Sequence, residues 1–402
     1  MYTIGVIGGG AAGFFAAIQA ASSGHKVILL EKTSKVLSKV KVSGGGRCNV
    51  THDCKVVSKL IKFYPRGEKF LKKVFLQFSV EDTLKWFSSR GVELKVESDG
   101  RMFPVSDSSQ TVIDVLVREA EKVGVTIRFN AAVQKVTKEN MGFNVHLIHE
   151  HFGVDKLIIT TGGSPKIENY GWIQSLGHHI VPPVPSLFTF NTPNEPLTEL
   201  QGIALADTYI RLEGTKLSYE GPLLITHWGL SGPAVLKLSA FGAKWLHDVH
   251  YKANAHIRWN KGFEEEQLRK DLVQYKSLHP KRKVHSHPLF GIPQRLWIYL
   301  AEVSEINSES CWMNISKRQN NKLLENLFRF TIGIHGKTTF KEEFVTAGGV
   351  DLEEINPQTM ESRLIPGLYF AGEVINVDGI TGGFNFQAAW STGFLAGINA
   401  TK

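Results

Sequence analysis

The sequence predicts an α/β protein that opens on a strand–turn–helix–strand unit, carries a small β-rich domain in its middle and closes on a further strand and a long helix. Three observations carry that prediction. A strand–glycine turn–helix–strand unit opens the chain over residues 2–31. Two later apolar strands, one in mid-chain at Leu157–Thr160 and one near the end at Leu368–Phe370, also run into glycines. Between them the pattern changes at Val181–Pro185, V-P-P-V-P, to short strands broken by Gly and Pro.

Tyr2–Ile7 is a short apolar run, and Gly8, Gly10 and Gly13 follow it as G-x-G-x-x-G. Phe14–Ser23 is Ala-rich and helix-forming, Gly24 ends it, and Lys26–Leu30 is a second apolar strand closing on Glu31. That order gives the glycine spacing a chemical meaning. Gly8 permits the tight turn, Gly10 lets a pyrophosphate approach, and Gly13 lets the helix pack on the strand. The free N–H groups of the helix N-terminus then meet anionic phosphate. Glu31 is placed to accept from ribose hydroxyls, with Lys32 beside it.

Val36–Thr51 reads as a loop holding S-G-G-G-R-C-N. Val56–Phe63, Lys69–Phe78 and Val80–Ser89 read as helices, Val92–Val96 as a strand and Gly100–Pro104 as a turn. Ser109–Val123 is an amphipathic helix before the strand Thr126–Phe129, and 133–137, 143–148 and 156–160 are strands. Val181–Pro185 is expected to be a stiff linker, and Ser186 to about His256 a small β-rich domain. Phe263–Leu278, Pro293–Ser304 and Ser316–Phe330 are helix candidates, with a basic loop at His279–His287. Strands return at Thr331–Ile334 and Glu343–Ala347, and Phe384–Ala400 is a long apolar helix.

Composition narrows the class. No apolar run reaches the ~18 residues a membrane span needs. The apolar N-terminus has no basic leader and serves as the first strand, so it is not expected to be a signal peptide. Three cysteines make no disulfide framework, which suits a reducing cytoplasm. The net charge of +8 leaves nucleotides, acidic substrates and nucleic acid open as partners. His285 and His287 have no acid or further ligand near them, so no metal site is expected.

The three glycine-ended strands together resemble the glutathione-reductase superfamily of FAD proteins. The resemblance narrows on longer motifs: S-G-G-G-R-C-N-V-T at Ser43–Thr51, T-H-W-G-L-S-G-P at Thr226–Pro233, T-A-G-G-V at Thr346–Val350 and T-M-E-S at Thr359–Ser362. Gly372–Ala389 completes the set. These are similar to the bacterial flavoprotein family that includes aminoacetone oxidase and the bile-acid-inducible flavin reductases. Two residues depart from the pattern, Asn376 in place of an acid and His52 in place of Asn.

The resemblance implies a Rossmann-like FAD-binding domain with an inserted β-barrel and a small helical subdomain. Its expected bounds are 1–185 with 342–402 for the FAD domain, 186–258 with 306–341 for the barrel, and 259–305 for the helices. It implies non-covalent FAD held by Gly8, Gly10, Ala11, Ala12, Gly13, Glu31 and Lys32. Ser43, Gly44, Gly45, Arg47, Cys48 and Asn49 would wrap the flavin, and Ala132 and Val133 would meet adenine. Thr161, Gly162 and Gly163 would lie beside the nucleotide; Gly372, Glu373, Gly383, Phe384, Asn385 and Gln387 would serve the ribityl chain and ring edge.

His227 is the candidate general acid/base, against the alternative of a hydrogen-bonded structural histidine. Cys48 lacks a C-x-x-C partner and is expected to be structural. The chain has no second G-x-G-x-x-G, so NAD(P)H would have to reach the flavin as a transient donor without its own Rossmann domain. The expected activity is hydride transfer between a small-molecule substrate and FAD, by an oxidase or an NAD(P)H-linked reductase. The alternative is a flavin-dependent RNA-modifying enzyme, to which the basic tract Lys281–Lys283 points. Membrane partners are not expected, and the sequence leaves the oligomeric state open.

Overall fold

A computed structural model describes residues 1–339 and 345–402. The chain forms two compact units, Met1–Ser186 with Phe340–Lys402, and Leu187–Thr339.

The first unit begins β1 (Thr3–Ile7), α1 (Ala11–Ser22), β2 (Lys26–Leu30), α2 (Ser38–Gly46), β3 (Thr51–His52) and α3 (Val57–Leu60). It continues α4 (Glu68–Phe75), α5 (Val80–Ser88), β4 (Leu94–Val96), β5 (Arg101–Pro104), α6 (Ser109–Lys122) and β6 (Thr126–Arg128). A meander β7 (Lys135–Lys138), β8 (Phe143–His146) and β9 (His151–Val154) leads to β10 (Lys156–Ile159), α7 (Gly171–Gln174) and β11 (Ile180–Ser186).

The second unit holds β12 (Thr189–Asn191), β13 (Ala204–Leu212), β14 (Ser218–Thr226), β15 (Gly229–Ser231), α8 (Pro233–Phe241), α9 (Ala243–Asp248) and β16 (Lys252–Arg258). Three helices follow, α10 (Glu265–Leu278), α11 (Gln294–Val303) and α12 (Lys317–Phe328), then β17 (Phe330–His335) and β18 (Lys337–Thr338). The chain re-enters the first unit with β19 (Val345–Val350), β20 (Leu368–Phe370) and α13 (Phe384–Asn399).

The sheet of the first unit runs β20-β10-β1-β2-β6, and every pairing in it is parallel. Strands β1, β10 and β20 are buried and apolar on both faces, as a sheet covered by helices requires. The C-terminal strand β20 therefore completes a sheet begun by residue 3. On one face α1 and α13 pack with almost no space between backbones. A Cβ on Gly393 would lie 2.4 Å from Ala12 O, and one on Gly397 2.4 Å from Ala16 O. The matched order of these contacts makes the two helices parallel.

The second unit is a seven-stranded antiparallel sheet in the order β17-β16-β13-β14-β15-β12-β18. Its two edge strands are joined by the single residue Gly336, so the sheet curls to bring its ends together, as a barrel does. Trp259, Trp297 and Trp312 belong to one core that strands and helices of this unit share.

Several elements differ from the expectation. Val181–Pro185 lies within β11, paired antiparallel with β19, not in a linker. The register shifts between Val181 and Val184, around Pro182 and Pro183, so the missing proline N–H groups cost no ladder bond there. Gly100–Pro104 is largely strand β5, which pairs with β3 and β4 and buries its own Met102 and Phe103. Val36–Thr51 contains α2, broken at Ser43–Gly45, where Gly44 and Gly45 are left-handed. The helical part of the insertion extends through Phe328, past the expected residue 305. A capping box between Ser316 and Gln319 starts the additional helix. Of the expected strand Glu343–Ala347, residues 343 and 344 lie outside the described residues, and β19 begins at Val345.

Candidate functional site

The G-x-G-x-x-G turn closes as its spacing requires. Gly8 has φ +114°, and a Cβ there would meet Thr160 O at 2.4 Å. A Cβ on Gly13 would be 1.9 Å from Gly8 O, so only glycine lets α1 start this close to β1. Around Gly10 a Cβ would meet nothing within 4 Å, so the turn is open on that side. Gly10 caps α1 with no side-chain hydrogen bond, and the first turn carries no acid. The helix therefore presents its N–H groups and positive end unopposed.

Glu31 stands at the end of β2. Its Oε2 accepts from the Gly9 N–H at 3.0 Å, and its Oε1 accepts from the N–H and hydroxyl of Thr33, both at 2.9 Å. A carboxylate has about four acceptor positions, so acceptor capacity remains for a ribose hydroxyl. Ala131 N–H donates to Glu31 O, and Asn130 N–H to Thr33 O. These bonds bring the loop with Ala132 and Val133 beside Glu31. Lys32 is exposed at the same strand end.

The mid-chain and C-terminal motifs meet as well. Thr161, Gly162 and Gly163 follow β10, and a Cβ on Gly163 would lie 2.8 Å from Glu373 Oε1. Glu373 accepts from the Thr346 N–H at 2.8 Å and from Lys39 Nζ at 2.7 Å. Gly372 N–H donates to the Thr392 hydroxyl of α13. Asn385 closes the loop before α13 by pairing both amide groups with the backbone of Gly379, at 2.8 and 2.9 Å. With its own amide turned to satisfy both neighbours, Asn49 accepts from Gly383 N–H and donates to Thr51 O, both at 2.9 Å. The S-G-G-G-R-C-N segment is thereby tied to the start of α13.

Gly383, at φ +90°, begins α13 with no side-chain cap, and the first turn again carries no acid. Gly393 lies level with Ala12, so α13 projects beyond the start of α1 by about eight residues, ~12 Å. Two uncapped helix N-termini thus point the same way, offset along parallel axes. Phe384 is fixed by stacking on Phe63 (4.5 Å between centroids) and His52 (4.7 Å), and its carbonyl accepts from Tyr64 Oη.

Other expected residues are committed elsewhere. Gln387 is fully buried: its Oε1 accepts from Thr51, and its Nε2 donates to Ser79 O, Thr83 and Ser391. Its amide braces α13 against α5 and is closed to a ligand. Arg47 pairs with Glu97 at 2.6 Å and with Asp107 at 3.6 Å, over the ring of Phe103. The Glu97 hydrogen bond raises the guanidinium pKa further, and its charge is spent on those acids. Burial pushes the Cys48 thiol up to about 12, which leaves it protonated and unreactive at neutral pH.

His227 lies in the second unit, exposed in the two-residue turn between β14 and β15, edge-on to Trp228 at 4.4 Å. Trp228 Nε1 donates to Thr189 Oγ1. His285 is buried, with Nε2 2.9 Å from Ile306 O.

Three further polar residues tie the site together without a local signal in the sequence. Lys39 meets Glu373, and Leu37 N–H donates to Gly9 O, which sets the start of α2 against the glycine turn. Arg66 grips the fully buried Asp378 with two of its nitrogens, and Ser186 Oγ donates to Asp378 at 2.8 Å. Both ion pairs link residues more than 300 positions apart, so no local spacing announces them.

The geometry fits an extended anionic dinucleotide. The open glycine turn and the α1 N-terminus suit a pyrophosphate, Glu31 and its loop suit a nucleoside, and the α13 N-terminus suits the negative edge of a ring. Comparison with known proteins agrees with this fit. Residues 2–399 match the model of the HI0933-like protein Rossmann domain. The chain is 32% identical to the ribosomal RNA dihydrouridine synthase of Escherichia coli (strain K12), over 96% of this chain and 95% of that one. It is 30% identical to the 3-dehydro-bile acid delta(4,6)-reductase of Clostridium scindens, over the full length of both. Among solved structures, the open conformation of a flavocytochrome c3 fumarate reductase aligns with a TM-score of 0.52 at 18% identity, over 100% of this chain and 78% of that one.

Proposed function

The chain belongs to the HI0933-like Rossmann family of FAD flavoproteins, and on that footing we propose that this flavin-dependent oxidoreductase saturates a carbon–carbon double bond conjugated to a carbonyl. One observation carries the reading. Two relatives at 30% identity or more, each matched over nearly its whole length, have names that describe saturation of such a bond, in a uracil ring and in a 3-oxo steroid. When bound, FAD supplies reversible hydride transfer.

The residues of the chain have separate tasks in this proposal. The N–H groups of Ala11–Gly13 hold the pyrophosphate, and Glu31 the adenosine ribose. Glu373 serves the ribityl hydroxyls, and the first turn of α13 stabilises negative charge at the ring edge. His227 carries the proton that completes saturation, from a segment that would set substrate choice. NAD(P)H is the proposed reductant, reaching the flavin without a Rossmann domain of its own.

The test is anaerobic. Acid precipitation should release FAD into solution. Holoenzyme reduced by NADH, NADPH or dithionite should then be reoxidised by an enone or a uracil compound, with a product heavier by two hydrogens. Reoxidation by oxygen alone, with no conjugated alkene accepted, would move the assignment to an oxidase.

A specific observation also favours a second reading, uridine within RNA as the carrier of the double bond. The relative with 32% identity is named for ribosomal RNA, and this chain carries a net charge of +8.

A further inference from the structure

The positive charge of the chain is concentrated on one element pair. Residues 53–73 contain seven Lys or Arg and two acids, a net charge of +5 within the +8 of the whole chain. Arg66 is consumed by the buried Asp378. Lys62 pairs with Glu68 and Lys55 with Asp53. Lys59, Lys69, Lys72 and Lys73 are exposed, and no described acid pairs with them.

Their arrangement follows from the folding of α4. Phe70, Leu71, Val74 and Phe75 are buried, so the helix turns Lys69, Lys72 and Lys73 outward at i, i+3 and i+4. Lys59 on α3 and Lys62 in the turn after it lie on elements that pack against α4. The segment also abuts the loop read above as facing the ring. Ile380 N–H donates to Phe63 O, Phe63 stacks on Phe384, and a Cβ on Gly67 would meet Val377. At the far end of α4, Phe78, Trp86 and Phe394, with Gln77, Asp82, Lys85 and Ser89, line an open groove of about 360 Å³.

We propose that the lysine face of α3 and α4 docks the phosphate backbone of single-stranded RNA, delivering a uridine to the loop before α13. The proposal rests on the second reading above, in which RNA carries the substrate base. Several lysines without acidic partners, spaced along one helix and ending at a groove that offers Phe78, Trp86 and Phe394, match a chain of phosphates bearing stackable bases. The tract Lys281–Lys283 is a weaker footprint, because Lys283 pairs with Glu309 at 2.7 Å and Arg282 Nη1 donates to Tyr275 Oη.

The experiment measures binding of holoenzyme to a short uridine-rich RNA as salt is raised, for the wild type and for the triple variant Lys69→Ala, Lys72→Ala, Lys73→Ala. Losing three phosphate contacts should lower the slope of log affinity against log salt by ~2 and weaken binding at low salt by ~10–100-fold. FAD content and melting temperature serve as folding controls. A triple variant that binds RNA as the wild type does would overturn the proposal. So would loss of binding only in Lys281→Ala, Lys283→Ala, or a wild type that binds anionic lipid vesicles but not RNA. If RNA binding depends on the three lysines but reduced holoenzyme leaves the uridines unsaturated, the docking surface stands and the RNA-substrate reading falls.

Discussion

Replacing Arg66 by Ala should destabilise the nucleotide-binding unit in a manner that depends on pH. Asp378 is fully buried, and Arg66 with Ser186 supplies its partners. Removing one member of a buried ion pair typically costs ~3–5 kcal/mol, because the other charge is left without compensation. The Arg66 side chain retains 18% exposure, so water can partly replace it, and the low end, ~3 kcal/mol, applies. In a domain of this size that corresponds to a fall in Tm of ~6–12 °C.

Burial already holds the Asp378 carboxyl above its ordinary range, while Arg66 and Ser186 pull it back. Deleting Arg66 raises it further. A carboxyl whose pKa is higher in the folded state loses stability as pH rises through that value, and keeps it below the unfolded value of ~4. The variant should therefore be most impaired at pH 8 and recover relative to wild type towards pH 5. Asp378→Asn removes the stranded charge, so the double variant should melt above Arg66→Ala alone at pH 8. Circular-dichroism melts of the four proteins across this range are the assay. Equal losses at pH 5 and pH 8, together with a double variant no better than the single, would refute the reasoning.

Three other outcomes are expected. Glu31→Ala removes the acceptor for Gly9 and Thr33 and for the ribose, so FAD affinity measured by flavin fluorescence should fall by ~10–100-fold, at ~1.5–3 kcal/mol for a charged hydrogen bond. Unchanged occupancy would count against the ribose role. Gly393→Val places a branched side chain where even a Cβ would lie 2.4 Å from Ala12 O, so α13 should shift off α1 at a cost of ~1–3 kcal/mol, read as a lower Tm and weaker FAD retention. His227→Ala should keep its colour and FAD affinity but slow substrate-dependent flavin turnover in stopped flow by ~10²–10⁴-fold. Native kinetics in that variant would return His227 to a structural role.

How much was legible in the sequence tracks how local the signal is. The glycine turns at Gly8–Gly13 and Gly383 announce themselves because backbone approach and positive φ leave a residue-type signature within a few positions. V-P-P-V-P carries a misleading local signal: prolines usually punctuate, yet here two of them occupy a register shift. Gln387 stands beside site residues in sequence, but helical rotation turns its amide into the interior with Thr51 and Thr83. Arg66–Asp378 and Lys39–Glu373 depend on chain ends that meet only in the fold, and no periodicity encodes such a meeting. The basic face on α4 was present as composition but needed the buried stripe Phe70–Leu71–Val74 to show which lysines share a side.

The parallel pairing of α1 with α13 also constrains how the molecule is made. Helix α1 leaves the ribosome long before its companion α13 is synthesised. In between, Leu187–Thr339 must be translated, which at usual elongation rates takes ~10–30 s. Throughout that interval the Ala12 and Ala16 surface of α1 lacks the helix that covers it, and β10 lacks its neighbour β20. The insertion carries its own core and can mature while the nucleotide half waits. Cofactor loading is consequently a late event, and a nascent chain stalled before residue 384 should expose an apolar helix face for chaperones to hold.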